Sequence, residues 1–345
     1  MPKKVIILHI VLIISSLLGL NGCTDNPNVK DLSSIDLSMN ILRFEQELFA
    51  CKSVSDITTL AMKHSDFYNT YTHDIIGYNV RGPQSTEEDV AVELYKYIAH
   101  KDMNSLYAKT QEKFEYFDAI QDELEEAAKY INFYFPEEKI ENITTFISTF
   151  HYGSVYDALN RRFLIGVDLY LGGDYEVYHA IDPQNFPTYR VKKFEPYRIV
   201  PNCVQTFTNH IVPSYEGTNF IEQAVYEGKK LYLLDLLLPS YHDSLKMNYL
   251  KGQTEWVIDQ EKNIWSYLVQ EDVLYSSDKN NFQKHYFNDG PFTTPFGNES
   301  SPRAGAWIGW QIVKKYMKQN TKITIHELLA DSNHQAIFQK SGYRP

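Results

Sequence analysis

The chain has 345 residues, of which 43% are hydrophobic and 14% aromatic, so it has enough apolar material for a large core. Its formal net charge of −11 at pH 7 argues against a protein that binds nucleic acid or docks electrostatically on anionic lipid. The length permits one large domain or two small ones.

The N-terminus has the pattern of a secretory signal. Two lysines precede Val5–Leu20, an uncharged and almost entirely apolar run. The run is shorter than the ~20 residues of a membrane-spanning helix. It leads into Asn21-Gly22-Cys23, and small residues before a cysteine are typical of a lipoprotein precursor. We therefore predict a signal peptide over residues 1–22 and lipidation of Cys23; the alternative is an ordinary signal peptide followed by a chance cysteine.

The next segment is polar and rich in turn-forming residues. Its sequence, TDNPNVKDLSS at 24–34, is typical of a flexible tether. We expect residues 23–34 to form the lipid anchor and tether, and residues 35–345 to form a single globular domain. Two further cysteines, Cys51 and Cys203, either pair in an oxidising compartment or remain free thiols, because sequence does not set their distance.

The pattern of apolar residues predicts a mostly helical α+β domain with a small β-sheet. A β-branched and aromatic run predicts a strand over Ile143–Phe150, and the apolar run Arg162–Leu171 predicts a strand followed by a helix. Thr324 and Glu327 form a capping box for a short helix near the C-terminus. The predicted longer helices are Ile35–Ala50, Glu87–His100, Gln111–Tyr134, Cys203–Val212, Asn219–Leu238, Gln253–Gln270 and Arg303–Lys318.

The predicted helix at 219–238 carries a carboxylate within its apolar stripe. Glu227 lies among apolar residues spaced three and four apart, so its side chain needs a partner or a proton. Lys230, three residues on, is a candidate partner. Glu227 is therefore either one half of a structural ion pair or a site carboxylate. Asp168, flanked by Val167 and Leu169, has the same ambiguity, with a helix-end or turn partner as its structural explanation.

The spacing of the histidines gives little support for a metal site. A zinc protease places His-Glu-x-x-His on one helix, so that both imidazoles reach one ion and the glutamate activates its water. The segment His326-Glu327-Leu328-Leu329 begins in this way, but residue 330 is alanine. The segment ending at His210 has only the second histidine. We accordingly expect no metal, no cofactor and no catalytic residue.

Several segments, in order, resemble the gliding-motility lipoprotein GldB family of Bacteroidota. The resemblance runs from about Leu42 to the C-terminus, with a poorly matching region at 64–110. The segments that carry it are RFEQELF at 43–49, YINFYFPE at 130–137, FLIGVDLYLGGD at 163–174, IVP at 211–213, YEGKKLYLLDLLLP at 226–239 and NESSPRAGAWIGWQIVKKYMKQN at 298–320.

That family is in turn similar to zincin-like, predicted zinc-dependent proteases. The resemblance implies that TFTNH at 206–210 occupies the place of the metal-binding helix, and that Glu227 occupies the place of a third ligand. His210 and Glu227 would then be remnants of a degenerate metal site, because Thr206 and Phe207 replace a ligand and the general base. A phenylalanine cannot act as a base.

The resemblance implies a non-catalytic lipoprotein of the cell envelope, facing the periplasm, that supports gliding motility and the associated type IX secretion. Its partners would be the membrane, through the lipid, and other envelope proteins of that machinery. Two alternatives remain: a peptidase-like or other hydrolase that uses an unrecognised site, and a module that binds a soluble ligand in a cleft around His210, Glu227, Lys230 and Asp168.

Overall fold

The first part of the domain contains one strand of a small sheet, followed by seven α-helices. The computed structural model describes residue 26, residues 28–215 and residues 217–345. The signal peptide and Cys23 therefore lie outside the described residues. The first strand and the seven helices after it are β1 Asn40–Arg43, α1 Phe44–Ala50, α2 Val54–Lys63, α3 Ser65–Thr70, α4 Gly77–Val80, α5 Glu87–Ala99, α6 Lys101–Lys113 and α7 Asp118–Tyr134.

The sheet follows, and then the helical second half. Its strands are β2 Asn142–Phe146, β3 Ser154–Asp157 and β4 Arg162–Gly166. The remaining helices are α8 Glu176–Ala180, α9 Thr188–Val191, α10 Ile199–Ile211, α11 Phe220–Leu237, α12 Asp243–Lys246, α13 Gln253–Gln270, α14 Lys279–Phe282, α15 Ala304–Gln319, α16 Ile325–Ala330 and α17 His334–Ser341.

The sheet has four strands in the order β1-β2-β4-β3. β1, β2 and β4 are parallel, with Ile143 opposite both Ile41 and Phe163, whereas β3 pairs antiparallel with β4. Every residue of β4 is buried, as expected for a strand covered on both faces. The prediction of a mostly helical α+β fold with a small sheet is thus confirmed. None of the helices that the structure describes is long and apolar enough to span a membrane.

Four predicted elements have wrong bounds, and one of them, the helix predicted over Cys203–Val212, begins four residues earlier, at Ile199. Residues 40–43 of the predicted helix Ile35–Ala50 form β1, because pairing with β2 prevails over local helical spacing. The predicted helix Gln111–Tyr134 is two helices, broken where Phe114 and Phe117 turn into the core. The predicted strand Ile143–Phe150 ends at Phe146, and its last residues form a loop.

The core is centred on α11 and α15, which cross with their backbones in contact. A Cβ built on Gly309 would lie 1.7 Å from the carbonyl oxygen of Ala224, and one built on Gly228 would lie 2.2 Å from the carbonyl oxygen of Gly309. Only glycine permits this approach at either position. Gly305, about one turn before Gly309 on α15, faces the ring of Phe287.

Residues 32–345 form one compact unit. Both remaining cysteines are free thiols, Cys51 half-buried and Cys203 fully buried. Burial raises the pKa of Cys203 to about 12, so its thiol stays protonated and unreactive at neutral pH.

Candidate functional site

Asp168 lies just beyond β4, at the edge of the sheet where the parallel strands end. The side chain is fully buried. Its Oδ1 accepts the backbone N–H of Ser148 at 2.9 Å, and its Oδ2 accepts that of Phe150 at 2.6 Å. The Ser148 hydroxyl lies 3.2 Å from Oδ1. Asp168 is thus the hydrogen-bond acceptor around which the loop after β2 folds.

That loop needs such a support because it contains two successive left-handed residues. Thr149 has φ 55° and Phe150 has φ 69°, a region that costs residues other than glycine roughly 1–2 kcal/mol each. Burial raises the pKa of Asp168 to about 6, although the N–H donors of Ser148 and Phe150 act in the opposite direction. This geometry agrees with the turn-partner explanation of Asp168.

A polar cleft of about 310 Å³ opens beside this edge of the sheet. One wall is α10, whose Asn202, Gln205 and Thr206 are exposed to the cleft at the spacing of one helical face. Tyr170, from the turn after Asp168, lies at the base, where its hydroxyl contacts Ser154 Oγ at 2.8 Å and accepts from Asn202 Nδ2 at 3.0 Å.

The opposite wall of the cleft is cationic. Lys193 has only 6% of its surface exposed, and its ammonium group pairs with Asp289 at 2.8 Å. Burial lowers the pKa of Lys193; the charge of Asp289 opposes this shift, and the charges of Arg198 and Arg303 reinforce it. Arg190 completes this wall.

His210 lies outside this cleft, exposed near the end of α10. Its ring packs against Tyr156 with 5.4 Å between the ring centroids. Phe207, one turn earlier, is fully buried and packs edge-on against Phe135 and Tyr156. Thr206 donates its hydroxyl hydrogen to the carbonyl of Cys203 within the same helix.

Glu227 is half-buried on α11 among three polar partners. Lys230 Nζ lies 3.5 Å from Oε1 and Arg303 lies 3.7 Å from Oε2, while Gln223 donates to Oε1 at 3.2 Å. The ion pair expected from the spacing of Glu227 and Lys230 is therefore present, and it has a second cation that the sequence did not indicate.

The structure does not bring all the residues of the sequence-predicted site together. No hydrogen bond, ion pair or ring contact in the described part of the chain connects His210 with Glu227. In that same part, no three His, Cys, Asp or Glu side chains are grouped so that they could hold a metal ion. Glu227 does connect indirectly to the cleft, because Arg303 pairs with Glu227 and its charge also acts on Lys193.

Sequence reasoning missed the cationic wall. The only local signal is the basic run KKFEPYR at 192–198, which includes Lys193 and Arg198. Their partners Asn248 and Asp289 come from much later segments of the chain.

Comparison with protein-family models decides the family. The model for gliding motility protein GldB matches residues 25–345. The chain belongs to that family. No curated protein and no solved structure matches the chain significantly. The family description indicates that the protein is a gliding-motility lipoprotein of the cell envelope.

Proposed function

We propose that this GldB-family protein is a non-catalytic lipoprotein, anchored by a lipid on Cys23, that supports gliding motility and the associated type IX secretion from the periplasmic side of a membrane. The observation that carries the proposal is the family match over residues 25–345, which begins two residues after the predicted lipidation site. The apolar run followed by Asn-Gly-Cys supports the anchor, since a lipidated cysteine supplies the two or more acyl chains that stable anchoring needs.

The surroundings of the residues at the proposed degenerate metal site support a non-catalytic role. Phe207 lies in the core, His210 packs on an aromatic ring, and Glu227 is engaged by two cations. Each side chain thus has a structural partner, and a buried phenylalanine has no proton to transfer.

Two measurements test the anchor and the pathway separately. Cells fed a labelled fatty acid should label the wild-type protein and leave Cys23→Ser unlabelled and released from the membrane fraction. In a gliding host, deletion of the gene should give non-spreading colonies. Labelled Cys23→Ser would refute the anchor, whereas normal spreading of the deletion strain would refute the motility role.

A further inference from the structure

We propose that the cleft between α9 and α10 binds a small hydroxylated ligand that carries one oxyanion, either a carboxylate or a phosphate. This inference goes beyond the motility role and does not depend on it. It follows from an excess of positive charge at the cleft, from the partly exposed carboxylate of Asp289 in its lining, and from neutral hydrogen-bonding groups on α10.

Arg198 contacts the lining residue Asn248, and its hydrogen bonds with the described part of the chain go only to neutral groups. Only 4% of its surface is exposed. Its guanidinium donates to Asn248 Oδ1 at 2.6 Å and to the carbonyl of Tyr249 at 2.7 Å, while its Nε is buried without a hydrogen-bond partner. A buried charge without a counterion is costly, so an anion close to Arg198 would offset that cost.

The carboxylates near Arg198 do not balance the positive charges of this region. The lining of the cleft contains two cations, Arg190 and Lys193, and one carboxylate, Asp289. Arg198 adds a further positive charge through its contact with the lining residue Asn248. A local positive excess in a chain of net charge −11 is a feature expected of an anion site.

Asp289 occupies the position that a ligand oxyanion would take. Its carboxylate contacts the Lys193 ammonium at 2.8 Å, and 42% of its side chain is exposed, whereas Lys193 is almost completely covered. Asp289 is thus the solvent-exposed partner of a buried cation. A ligand carboxylate or phosphate can displace it without moving the lysine.

The facing helix supplies groups that suit hydroxyls. Asn202, Gln205 and Thr206 present two amides and one hydroxyl to the cleft, and the Gln205 side chain makes no hydrogen bond with the described part of the chain. A few convergent polar groups on a partly apolar wall are the usual composition of a small-molecule site. The volume of about 310 Å³ suits a ligand of about one ring.

Calorimetric titration of the full-length lipoprotein in detergent tests the inference. The probes are glucuronate, glucose 6-phosphate, inorganic phosphate and neutral glucose. Glucuronate, glucose 6-phosphate or both should bind. Neutral glucose should bind more weakly by about tenfold or more, since one charge-assisted hydrogen bond contributes roughly that factor. Preference for glucuronate would identify a carboxylate ligand, and preference for glucose 6-phosphate would identify a phosphate. Binding of inorganic phosphate as tight as that of glucose 6-phosphate would show that the hydroxyls are not recognised and would overturn the proposal.

Variants with opposite expected effects separate this site from general charge. Arg190→Gln, at an exposed position, should weaken binding of the anionic sugar that binds the wild type by about tenfold. Asp289→Asn should tighten it, because the internal competitor for Lys193 is removed. Lys262→Gln, an exposed charge change on α13, is the matched control and should leave the affinity unchanged. Binding of glucose as tight as that of the acids, no binding of any probe, weaker binding by Asp289→Asn, or an equal loss in the control would each overturn the proposal.

Discussion

The helix crossing of α11 and α15 and the cleft beside α10 show two opposite ways of using the protein interior. At the crossing, glycine brings two backbones together until a single Cβ would overlap a carbonyl oxygen. At the cleft, about 310 Å³ remains open next to the buried Lys193, and the buried Arg198 contacts the lining residue Asn248. Close packing stabilises a fold, whereas open space beside uncompensated charge costs stability.

The difference indicates which property each region serves: stability at the helix crossing and binding at the cleft. Segments of the family resemblance lie at both places, since YEGKKLYLLDLLLP includes Gly228 and FLIGVDLYLGGD includes Asp168 and Tyr170. The first carries the helix crossing, and the second shapes the polar edge of the sheet. Substitutions at the crossing should therefore act on stability, and substitutions on the walls of the cleft on binding.

The largest effect is expected at the helix crossing. In Gly309→Ala, the new methyl group would lie 1.7 Å from the Ala224 carbonyl oxygen, so α11 and α15 must separate. Chemical denaturation should show a loss of about 3 kcal/mol or more in the free energy of unfolding. Gly290→Ala is the control, because the nearest atom to its Cβ is 3.6 Å away, and it should be nearly neutral. Similar stability for both variants would mean that the crossing is not closed.

A smaller loss is expected at the polar edge of the sheet. Asp168→Asn keeps the shape of the side chain but replaces one acceptor oxygen with a donor, so the N–H of either Ser148 or Phe150 loses its partner. An unsatisfied buried donor costs about 1–3 kcal/mol in the free energy of unfolding. The exposed Asp259→Asn should change nothing measurable. An unchanged melting temperature for Asp168→Asn would contradict the role of Asp168 as the support of the loop.

The last effect is confined to acidic solution and is smallest near neutral pH. His334 is buried, and burial first and the charge of Lys229 second lower its pKa from 6.5 to about 4. The unfolded chain therefore binds more protons between these values, and the contribution of His334 to stability is lost as pH falls from about 6.5 to about 4. The slope for one proton is at most about 1.4 kcal/mol per pH unit.

The measurement compares wild type with His334→Gln at each pH. Asp168 acts with the opposite sign in an overlapping window, since its raised pKa contributes stability at low pH that is lost as pH rises to about 6. Because both proteins contain Asp168, the difference between their curves isolates His334. Parallel curves would show that the imidazole titrates normally in the folded protein.

Local sequence patterns were sufficient for the long helices and insufficient for the cleft. Asn219 caps α11 and the bounds of α13 match the prediction, because capping and 3.6-residue spacing are local properties. The helix predicted over Ile35–Ala50 failed because β1 depends on a partner about one hundred residues away. The Glu227–Lys230 pair was readable from a spacing of three. The Lys193–Asp289 pair was not, since 96 positions separate its members.

Colony spreading of a deletion strain that carries single-residue alleles tests the proposed function most directly. An allele with His210→Ala changes only an exposed residue of the proposed degenerate metal site, and an allele with Cys23→Ser removes the predicted anchor. If the protein is anchored and non-catalytic, the His210→Ala strain should spread like wild type. The Cys23→Ser strain should spread poorly, because tethering sets the effective concentration of the domain at the membrane. Loss of spreading in His210→Ala with normal protein levels, together with normal spreading in Cys23→Ser, would contradict the proposal.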